Sequence, residues 1–280
     1  MQQSSLELGK PDPPINTARR QLNHLFQPGD GYTDDVLVMN TQISTQYDGL
    51  RHFPYSTDNN ISTYQWYNDL ISSYDEVIGP SPTTILGIQE AASYGIVGRG
   101  VLLDWAGWMQ SQNTTYDAFS ARAITASELD ATAAWQGIDA ATFFKPADML
   151  FVRTGWTAAY NALTPHQQAV LPYRAQDANH IGVLASDDTA AWLWAKKLAL
   201  VGADNPAFEV IPFNGTIAGV PRSLHQMFIG GWGQSIVEFL DFERLAPALR
   251  KLGRSSFFVT IQNLNVVSGI ASPPNALAVI

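Results

Sequence analysis

Residues 42–52 of the chain are Gln42-Ile43-Ser44-Thr45-Gln46-Tyr47-Asp48-Gly49-Leu50-Arg51-His52, a run dense in polar side chains. Asp48 and His52 are four residues apart, a spacing that places both side chains on one face if the segment forms a helical turn. A carboxylate together with an imidazole suits Zn²⁺ or Mn²⁺. The same spacing is typical of an ordinary Asp–His ion pair, so spacing alone leaves both interpretations open.

A second candidate pair lies far downstream, at His225 and Glu238. His225 opens a stretch with a helical pattern after Pro221, and Glu238 interrupts the apolar run Ile236-Val237-Glu238-Phe239-Leu240. A carboxylate in such a run is costly to bury unless it is paired or bound to a metal. The alternative is an amphipathic helix with Glu238 on its solvent-exposed face.

The remaining three histidines have contexts that indicate structural roles. His24 lies in the Pro-rich N-terminal stretch, His166 follows a proline at a helix start, and His180 lies in a loop. The chain has no cysteine, which excludes disulfides, zinc–thiolate sites and thiol nucleophiles. It also lacks the G-x-S-x-G nucleophile elbow, the P-loop, the dinucleotide fingerprint and the H-E-x-x-H metal motif.

The hydrophobic pattern predicts strands alternating with helices. Short apolar runs rich in β-forming residues predict strands at Val36–Met39, Gly100–Leu103, Met149–Arg153 and Phe257–Ile261. Helices are predicted at Glu128–Gln136 after a Ser127 cap, at Thr189–Val201 between a Ser186 or Asp187 cap and Gly202, at Leu224–Gly230 and at Phe239–Leu249. This alternation favours an α/β layer architecture.

The composition predicts a folded protein with an acidic surface. Of the 280 residues, 46% are hydrophobic and 15% are charged, which allows a sizeable core. The net charge of −9 argues against nucleic acid and membranes as main partners, because both attract Lys and Arg. The basic pairs Arg19-Arg20 and Lys196-Lys197 are interpreted as ordinary solvated positions.

The N-terminal stretch differs in character from the rest of the chain. Residues 1–30 are rich in Pro, Gln, Asn and Gly, and they predict an arm with a short helix around Ala18–Leu25. No linker or repeat follows, so residues 31–280 are expected to form a single domain. Met1–Lys10 lacks an apolar signal region, and no window has the ~20 apolar residues that span a bilayer. The cytoplasm is therefore the expected location.

Together these segments resemble the cyclase / kynurenine formamidase-like family, whose early motif has the form H-x-G-T-H-x-D-x-P-x-H. Thr45, Asp48 and His52 match that motif. Further similar segments are Gly98–Asp104, Ala147–Trp156, Leu224-His225, Glu238–Leu240 and Ser272–Ala276. The resemblance covers residues 33–280 and implies a swivelling β/β/α cyclase-like fold with a mixed central sheet, in a homo-oligomer.

The resemblance also implies a set of functional residues. Asp48, His225 and Glu238 would bind a divalent metal, Mn²⁺ or Zn²⁺, and His52 would transfer protons, with Asp48 and Gln46 completing the catalytic group. The implied activity is the metal-dependent hydrolysis of an amide, lactam or lactone in a small molecule.

Gln42 and Gln46 stand where the family usually has two histidines, although one branch of the family carries Gln at both places. An amide oxygen is a weaker ligand than an imidazole, which argues against a two-metal site. What remains is one ion held by Asp48, His225 and Glu238, with or without Gln46, or no metal at all.

Three functions therefore stay open. The first is the hydrolase, and the second is a metal-independent cyclase or dehydratase of natural-product (secondary) metabolism that uses the same pocket. The third is a non-catalytic binder, which the presence of four reactive residues argues against. Six aromatic residues are candidates for a pocket wall, with the core the favoured interpretation for most: Tyr47, Trp66, Tyr67, Trp105, Trp156 and Trp232.

Overall fold

A nine-stranded mixed sheet organises the chain in the computed structural model, which describes residues 1–58, 60–79, 83–174, 179–213 and 215–280. The strands are β1 (Gln2–Gln3), β2 (Asn23–Pro28), β3 (Thr33–Val38), β4 (Gln46–Asp48), β5 (Ile96–Leu103), β6 (Ala123–Ile124), β7 (Met149–Val152), β8 (Gly182–Val183), β9 (Leu200–Ala203), β10 (Thr216–Ile217), β11 (Val220–Pro221), β12 (Ser235–Glu238), β13 (Ser256–Gln262), β14 (Ala271–Ser272) and β15 (Asn275–Val279). The main sheet has the order β1-β15-β13-β5-β7-β9-β12-β4-β14. Its centre, β5-β7-β9-β12, is parallel, and both flanks are antiparallel.

Helices cover the sheet. They are α1 (Asp75–Ile78), α2 (Gln89–Tyr94), α3 (Trp105–Ser111), α4 (Ala126–Trp135), α5 (Trp156–Asn161), α6 (Pro165–Val170), α7 (Asp187–Ala195) and α8 (Leu245–Lys251). Single 3₁₀ turns lie at Ile61–Thr63, Tyr67–Asp69 and Leu171–Tyr173, and a π-helical segment spans Gln226–Trp232. Among the described residues, none of these helices combines the length and the apolar character that a membrane crossing requires.

Strand alternation places the two larger hydrophobic cores on opposite faces of the sheet. Val101 and Leu103 of β5 face the larger core, and Leu102 between them faces the smaller one on the other side of the sheet. In β12, Ile236 faces the larger core and Val237 faces the smaller one. Because successive side chains of a strand point to opposite faces, short apolar runs can fill both cores. The predicted α/β class with a mixed central sheet is confirmed.

The predicted strands are all present. Three of them correspond to β5, β7 and β13 of the main sheet. The fourth, predicted at Val36–Met39, is β3, which pairs with β2 in a hairpin outside the main sheet. All residues of this hairpin's strands are exposed, including Phe26 at 78% exposure.

The first residues of the chain are tied to the main sheet. β1 pairs with β15, and the backbone N–H of Leu6 donates to Thr45 Oγ1 at 2.7 Å. The helix predicted around Ala18–Leu25 is wrong, because β2 begins at Asn23 and a Gly-containing turn follows Pro28, which favours a hairpin. The division into an arm and a domain at residue 30 stays a prediction.

Two helix boundaries differ from the predicted ones. α4 is capped by Thr125, not Ser127, because Glu128 three residues later completes a capping box with it. α7 is capped by Ser186, as one alternative predicted, but it ends at Ala195. Leu200 and Val201, which were predicted to end it, instead begin β9, which forms ladders with both neighbouring strands.

The helix predicted at Phe239–Leu249 begins late. Phe239 adopts a positive φ of 53°, which ends β12 and excludes a helical start there. Only Leu245–Lys251 is helical. The helical piece predicted at Leu224–Gly230 is present as the π-helical segment Gln226–Trp232.

Candidate metal centre

Two adjacent strands bring three polar side chains to one face of the sheet. β4 and β12 are antiparallel, with Glu238 opposite Gln46 and Ile236 opposite Asp48. The period of two therefore places Gln46, Asp48 and Glu238 together on the face of the larger core. Glu238 is 1% exposed and lies in a strand. The alternative prediction, which placed it on the solvent-exposed face of a helix, is therefore wrong.

His52 reaches Asp48 across a turn, not along a helix. Asp48 ends β4, and the backbone N–H of His52 donates to the carbonyl of Gly49 at 2.9 Å. The imidazole Nε2 then lies 3.8 Å from Asp48 Oδ2. A Cβ at Gly49 would lie 2.6 Å from Ile88 Cγ2, so the turn needs glycine. The predicted proximity is present, but the helical turn is not.

His225 joins the same group from the π-helical segment. Its Nε2 lies 2.9 Å from Glu238 Oε1 and 3.7 Å from Asp48 Oδ2. Its Nδ1 lies 2.6 Å from Glu209 Oε1, and Glu209 also accepts the backbone N–H groups of Leu224 and His225. A neutral His225 that donates Nδ1–H to Glu209 presents the Nε2 lone pair to the two carboxylates.

The sequence reasoning missed Glu209. It is fully buried and precedes His225 by sixteen residues, on a different part of the chain. No local motif connects the two residues. The signal present in the sequence was an acidic residue in the apolar run Phe208-Glu209-Val210-Ile211, the same kind of signal that marked Glu238.

Two carboxylate oxygens in this group are buried and have no hydrogen-bond partner among the described residues: Asp48 Oδ2 and Glu238 Oε1. Glu238 Oε1 is close to His225 Nε2, but in a geometry that makes no hydrogen bond. One ligand atom each from Asp48, His52 and His225 lies within 4.8 Å of the others. Carboxylate and imidazole ligand atoms that converge this closely suit Zn²⁺ or Mn²⁺, so the residues present fit a single ion.

The two glutamines fill the remaining acceptor positions of the carboxylates. Gln42 Nε2 donates to Asp48 Oδ1 at 2.6 Å, and Gln46 Nε2 donates to Glu238 Oε2. Arg19 Nη1 donates to Gln46 Oε1 at 2.7 Å, so its interpretation as a solvated position is wrong. Because a guanidinium only donates, the atom of Gln46 that faces it is the oxygen, and the amide nitrogen faces Glu238.

Burial and charge move the pKa values of the two carboxyls in opposite directions. Burial alone would raise the pKa of Asp48, but His52, His225 and Arg19 outweigh it and lower that pKa to about 2. Burial, together with the negative charge of Asp48, raises the pKa of Glu238 to about 7. Asp48 is therefore the permanent anion of the pair, and Glu238 is charged when a cation is near.

The two histidines of the centre also differ. Burial opposes charge on His225, but Glu238, Asp48 and Glu209 raise the pKa of its imidazole well above the usual value. Burial lowers the pKa of His52, and the charge of His225 adds to that effect, while Asp48 opposes it. His52 is thus held as a neutral imidazole, which accepts protons.

A cavity of about 520 Å³ opens onto this centre. His52, His225, Glu238 and Gln46 form its polar end, beside Arg19. The other lining residues are mostly apolar: Ile15, Asn16, Thr17, Phe53, Pro172, His180, Pro206, Ala207, Ile211, Phe213 and Phe239. This volume is in the range of small-molecule sites.

The aromatic walls of the cavity are not the residues named from the sequence. Tyr47, Trp66, Trp105 and Trp156 are buried in the cores, as the favoured interpretation predicted. The rings that line the cavity are Phe53, Phe213 and Phe239. The ring centroids of Phe53 and Phe213 lie 5.4 and 5.9 Å from that of His225.

The three other histidines lie apart from the two carboxylates. His24 pairs with Asp35 across the β2–β3 hairpin, and His166 lies in α6. His180 is 3% exposed but lines the cavity, and burial lowers its pKa to about 3. It is therefore a neutral part of the cavity wall.

One protein family matches most of the chain. A family model described as "Putative cyclase" matches residues 9–210. A sequence search of curated proteins gave no match.

Solved structures with the same fold include cyclases and hydrolases. The chain is similar to the crystal structure of a novel cyclase, with 24% identity, a TM-score of 0.79, and coverage of 100% of this chain and 88% of that one. It is similar to isatin hydrolase A from Ralstonia solanacearum, with 14% identity, a TM-score of 0.64, and coverage of 99% and 90%. It is also similar to a potential metal-dependent hydrolase with cyclase activity, with 14% identity, a TM-score of 0.54, and coverage of 99% and 96%.

Proposed function

Because the chain belongs to the cyclase family, we propose that it is a metal-dependent hydrolase that opens an amide, lactam or lactone in a small molecule. The observation that carries the proposal is the pair of buried oxygens, Asp48 Oδ2 and Glu238 Oε1, which lie beside His225 Nε2 and make no hydrogen bonds to the described residues. Without an ion, the two oxygens face His225 Nε2 at 3.7 and 2.9 Å, and an ion bound between these ligand atoms would compensate their burial more fully.

Asp48, His225 and Glu238 would hold the ion, Mn²⁺ or Zn²⁺. When bound, the ion polarises a carbonyl oxygen and lowers the pKa of water to about 7. Glu209 keeps the proton on His225 Nδ1, which leaves Nε2 as the ligand atom. Because the neighbouring carboxylates raise the pKa of His225 well above its usual value, metal binding is expected to release the second proton of this imidazole.

His52 is the residue proposed to move the proton. Its side chain is 20% exposed and lines the cavity, so Nε2 is accessible to a bound molecule. The lowered pKa keeps the ring neutral, and Nε2 can accept a proton from the attacking water and return it to the leaving nitrogen or oxygen. Asp48 at 3.8 Å stabilises the imidazolium that forms in between.

The cavity suggests the substrate class. Its volume suits a small molecule, and Phe53, Phe213 and Phe239 offer apolar ring surface beside the polar end. Isatin hydrolases are among the proteins with a similar fold, so a cyclic amide fused to an aromatic ring is the first class to test. An N-formyl arylamine, the kind of substrate that a kynurenine formamidase-like enzyme opens, is the second.

One observation favours a second candidate, the metal-independent cyclase or dehydratase. Gln42 and Gln46 each donate an amide hydrogen to one oxygen of a carboxylate where an imidazole would offer another metal ligand. Hydrogen bonds of this kind can hold charges in place for ring closure or loss of water without an ion.

Chelation separates the two candidates. The purified protein is assayed against aromatic lactams, lactones and N-formyl arylamines before and after chelator treatment, and again after adding Mn²⁺ or Zn²⁺. We expect activity to disappear with the metal and to return with it. Full turnover in excess chelator, by a protein in which elemental analysis finds no metal, would contradict the hydrolase.

The enzyme is also proposed to act as a homo-oligomer. The β2–β3 hairpin supports this, because its strands are exposed on both sides and an isolated two-stranded hairpin is marginally stable in water. Light scattering tests it: a monomeric mass at assay concentration would contradict the proposal.

A further inference from the structure

Arg19 is the only lysine or arginine among the described residues that line the cavity. It comes from the N-terminal stretch and lies at the polar end, next to His52 and Glu238 in the cavity wall. Its Nη1 donates to the carbonyl of Gln42 at 2.5 Å and to Gln46 Oε1 at 2.7 Å. The guanidinium is therefore held by the same two glutamines that contact the buried carboxylates.

The stretch that carries Arg19 is fixed to the body of the protein. The backbone N–H of Asp12 donates to the hydroxyl of Tyr160 at 3.1 Å, and Ser44 Oγ donates to the carbonyl of Glu7 at 2.8 Å. Pro14 is buried just before the residues that line the cavity. Such anchoring places the guanidinium in advance, which lowers the entropy cost of binding a ligand.

The contacts of Arg19 leave donors for a ligand. A guanidinium has five N–H donors in a planar fork, and Nη1 carries two of them. Within the described residues, the hydrogen bonds of its side chain use only Nη1. The Nη2 and Nε donors form the edge that binds a carboxylate through two parallel hydrogen bonds.

The chemistry of the site requires such a partner. Opening an amide or lactone creates a carboxylate, and ring closure consumes one. That anion would enter a cavity whose polar end already contains the buried carboxylates of Asp48 and Glu238. The guanidinium of Arg19, which lines the cavity and contacts Gln46, would offset the repulsion between that anion and the two buried carboxylates.

We propose that Arg19 is the residue that binds the carboxylate of the open-chain molecule, and that the ligand is a small aromatic carboxylate. The identity of this ligand as product or substrate rests on the proposed function. Its binding does not, because a carboxylate that fits the cavity should bind Arg19 without being turned over. The aromatic part would lie against Phe53 and Phe213.

Binding of two matched probes tests the proposal. Benzoate and its neutral analogue benzamide are titrated by calorimetry into the protein as purified and again after chelator treatment, which removes binding of benzoate by an ion. We expect wild type to prefer benzoate under both conditions. Arg19→Gln should weaken the affinity for benzoate by about 10-fold or more, because charge-assisted hydrogen bonds are lost. The affinity for benzamide should not change.

Two further variants make the result specific. Arg19→Lys keeps the charge without the planar fork and should recover part of the benzoate affinity. Arg20→Gln changes the neighbouring exposed arginine and should leave both affinities unchanged.

Three results would overturn the proposal. They are equal affinity of wild type and Arg19→Gln for benzoate, an equal loss of affinity for both probes in Arg19→Gln, and no preference of wild type for benzoate over benzamide. None of these depends on turnover, so failure here is distinguishable from failure of the hydrolase proposal.

Discussion

Asp48 and Asp204 are both fully buried, and each lies at the end of a strand in the main sheet. Both oxygens of Asp204 accept hydrogen bonds, from the backbone and hydroxyl of Thr154 at 2.6 and 2.7 Å and from the backbone of Gly155 at 2.9 Å. Asp48 has one such partner, Gln42, and its Oδ2 has none among the described residues.

The pKa values of the two aspartates reflect the same difference. Burial raises the pKa of Asp204 to about 6, although the Thr154 hydrogen bonds oppose it. Burial acts on Asp48 as well, but the neighbouring His52, His225 and Arg19 lower its pKa to about 2. A satisfied aspartate among neutral donors holds loops together, whereas an unsatisfied aspartate among charged groups is arranged to bind something.

The largest expected effect follows from removing the charge at the unsatisfied position. Asp48→Asn keeps the shape but weakens the proposed ligand, so activity should fall by more than the ~10²–10⁴-fold expected when only a proton carrier is lost. Steady-state rates with saturating metal measure it. Asp204→Asn, assayed while folded, is the matched control and should retain activity; equal losses in both variants would remove the distinction between them.

His52→Ala should lower turnover by ~10²–10⁴-fold, because the proposed proton carrier is lost. Metal content should stay near the wild-type value, since Asp48, His225 and Glu238 remain. Turnover number and elemental analysis are measured on the same preparation. A fully active His52→Ala variant would exclude this residue from proton transfer.

Glu209→Gln should weaken metal affinity by ~10–100-fold, because the amide no longer holds His225 Nδ1–H as strongly. Titration with Mn²⁺ gives the affinity. Glu243→Gln is a suitable control, since Glu243 is part-buried and pairs with Arg153. An unchanged affinity in Glu209→Gln would mean that Glu209 does not orient the histidine.

Asp204→Asn is expected to have the smallest effect on metal binding and the largest effect on the free energy of unfolding. Asp204→Asn places an NH₂ group against a backbone N–H of Thr154 or Gly155, and it should cost ~1–3 kcal/mol of unfolding free energy. Urea unfolding of chelator-treated protein measures it. A loss of this size in Asp48→Asn, with none in Asp204→Asn, would reverse the two assignments.

The same contrast explains how much of the centre could be predicted. Asp48, His52, His225 and Glu238 are identifiable because they lie in recognisable segments or interrupt apolar runs. Their convergence depends on the pairing of β4 with β12, and on a turn after Asp48 in place of the helical turn that the spacing argument assumed.

The supporting residues were harder to predict. Arg19 lies in a Pro-rich stretch where a charged residue is normally solvated, and only the anchoring of that stretch to the body brings it to Gln46. β5 and β7 of the parallel centre were predicted because their apolar runs must be buried on both faces. The start of β9 was predicted as the end of a helix, and β12 was not predicted as a strand. The exposed hairpin shows no such run on β2, and a helix was predicted there instead.

The most direct test of the metal centre is calorimetric titration of chelator-treated wild-type protein with Mn²⁺, and separately with Zn²⁺, in two buffers of different ionisation enthalpy. We predict one ion per chain, with protons released on binding because His225 must lose its second proton. Absence of binding, or binding that releases no proton, would contradict the claim that the two unsatisfied carboxylate oxygens and His225 form a metal site.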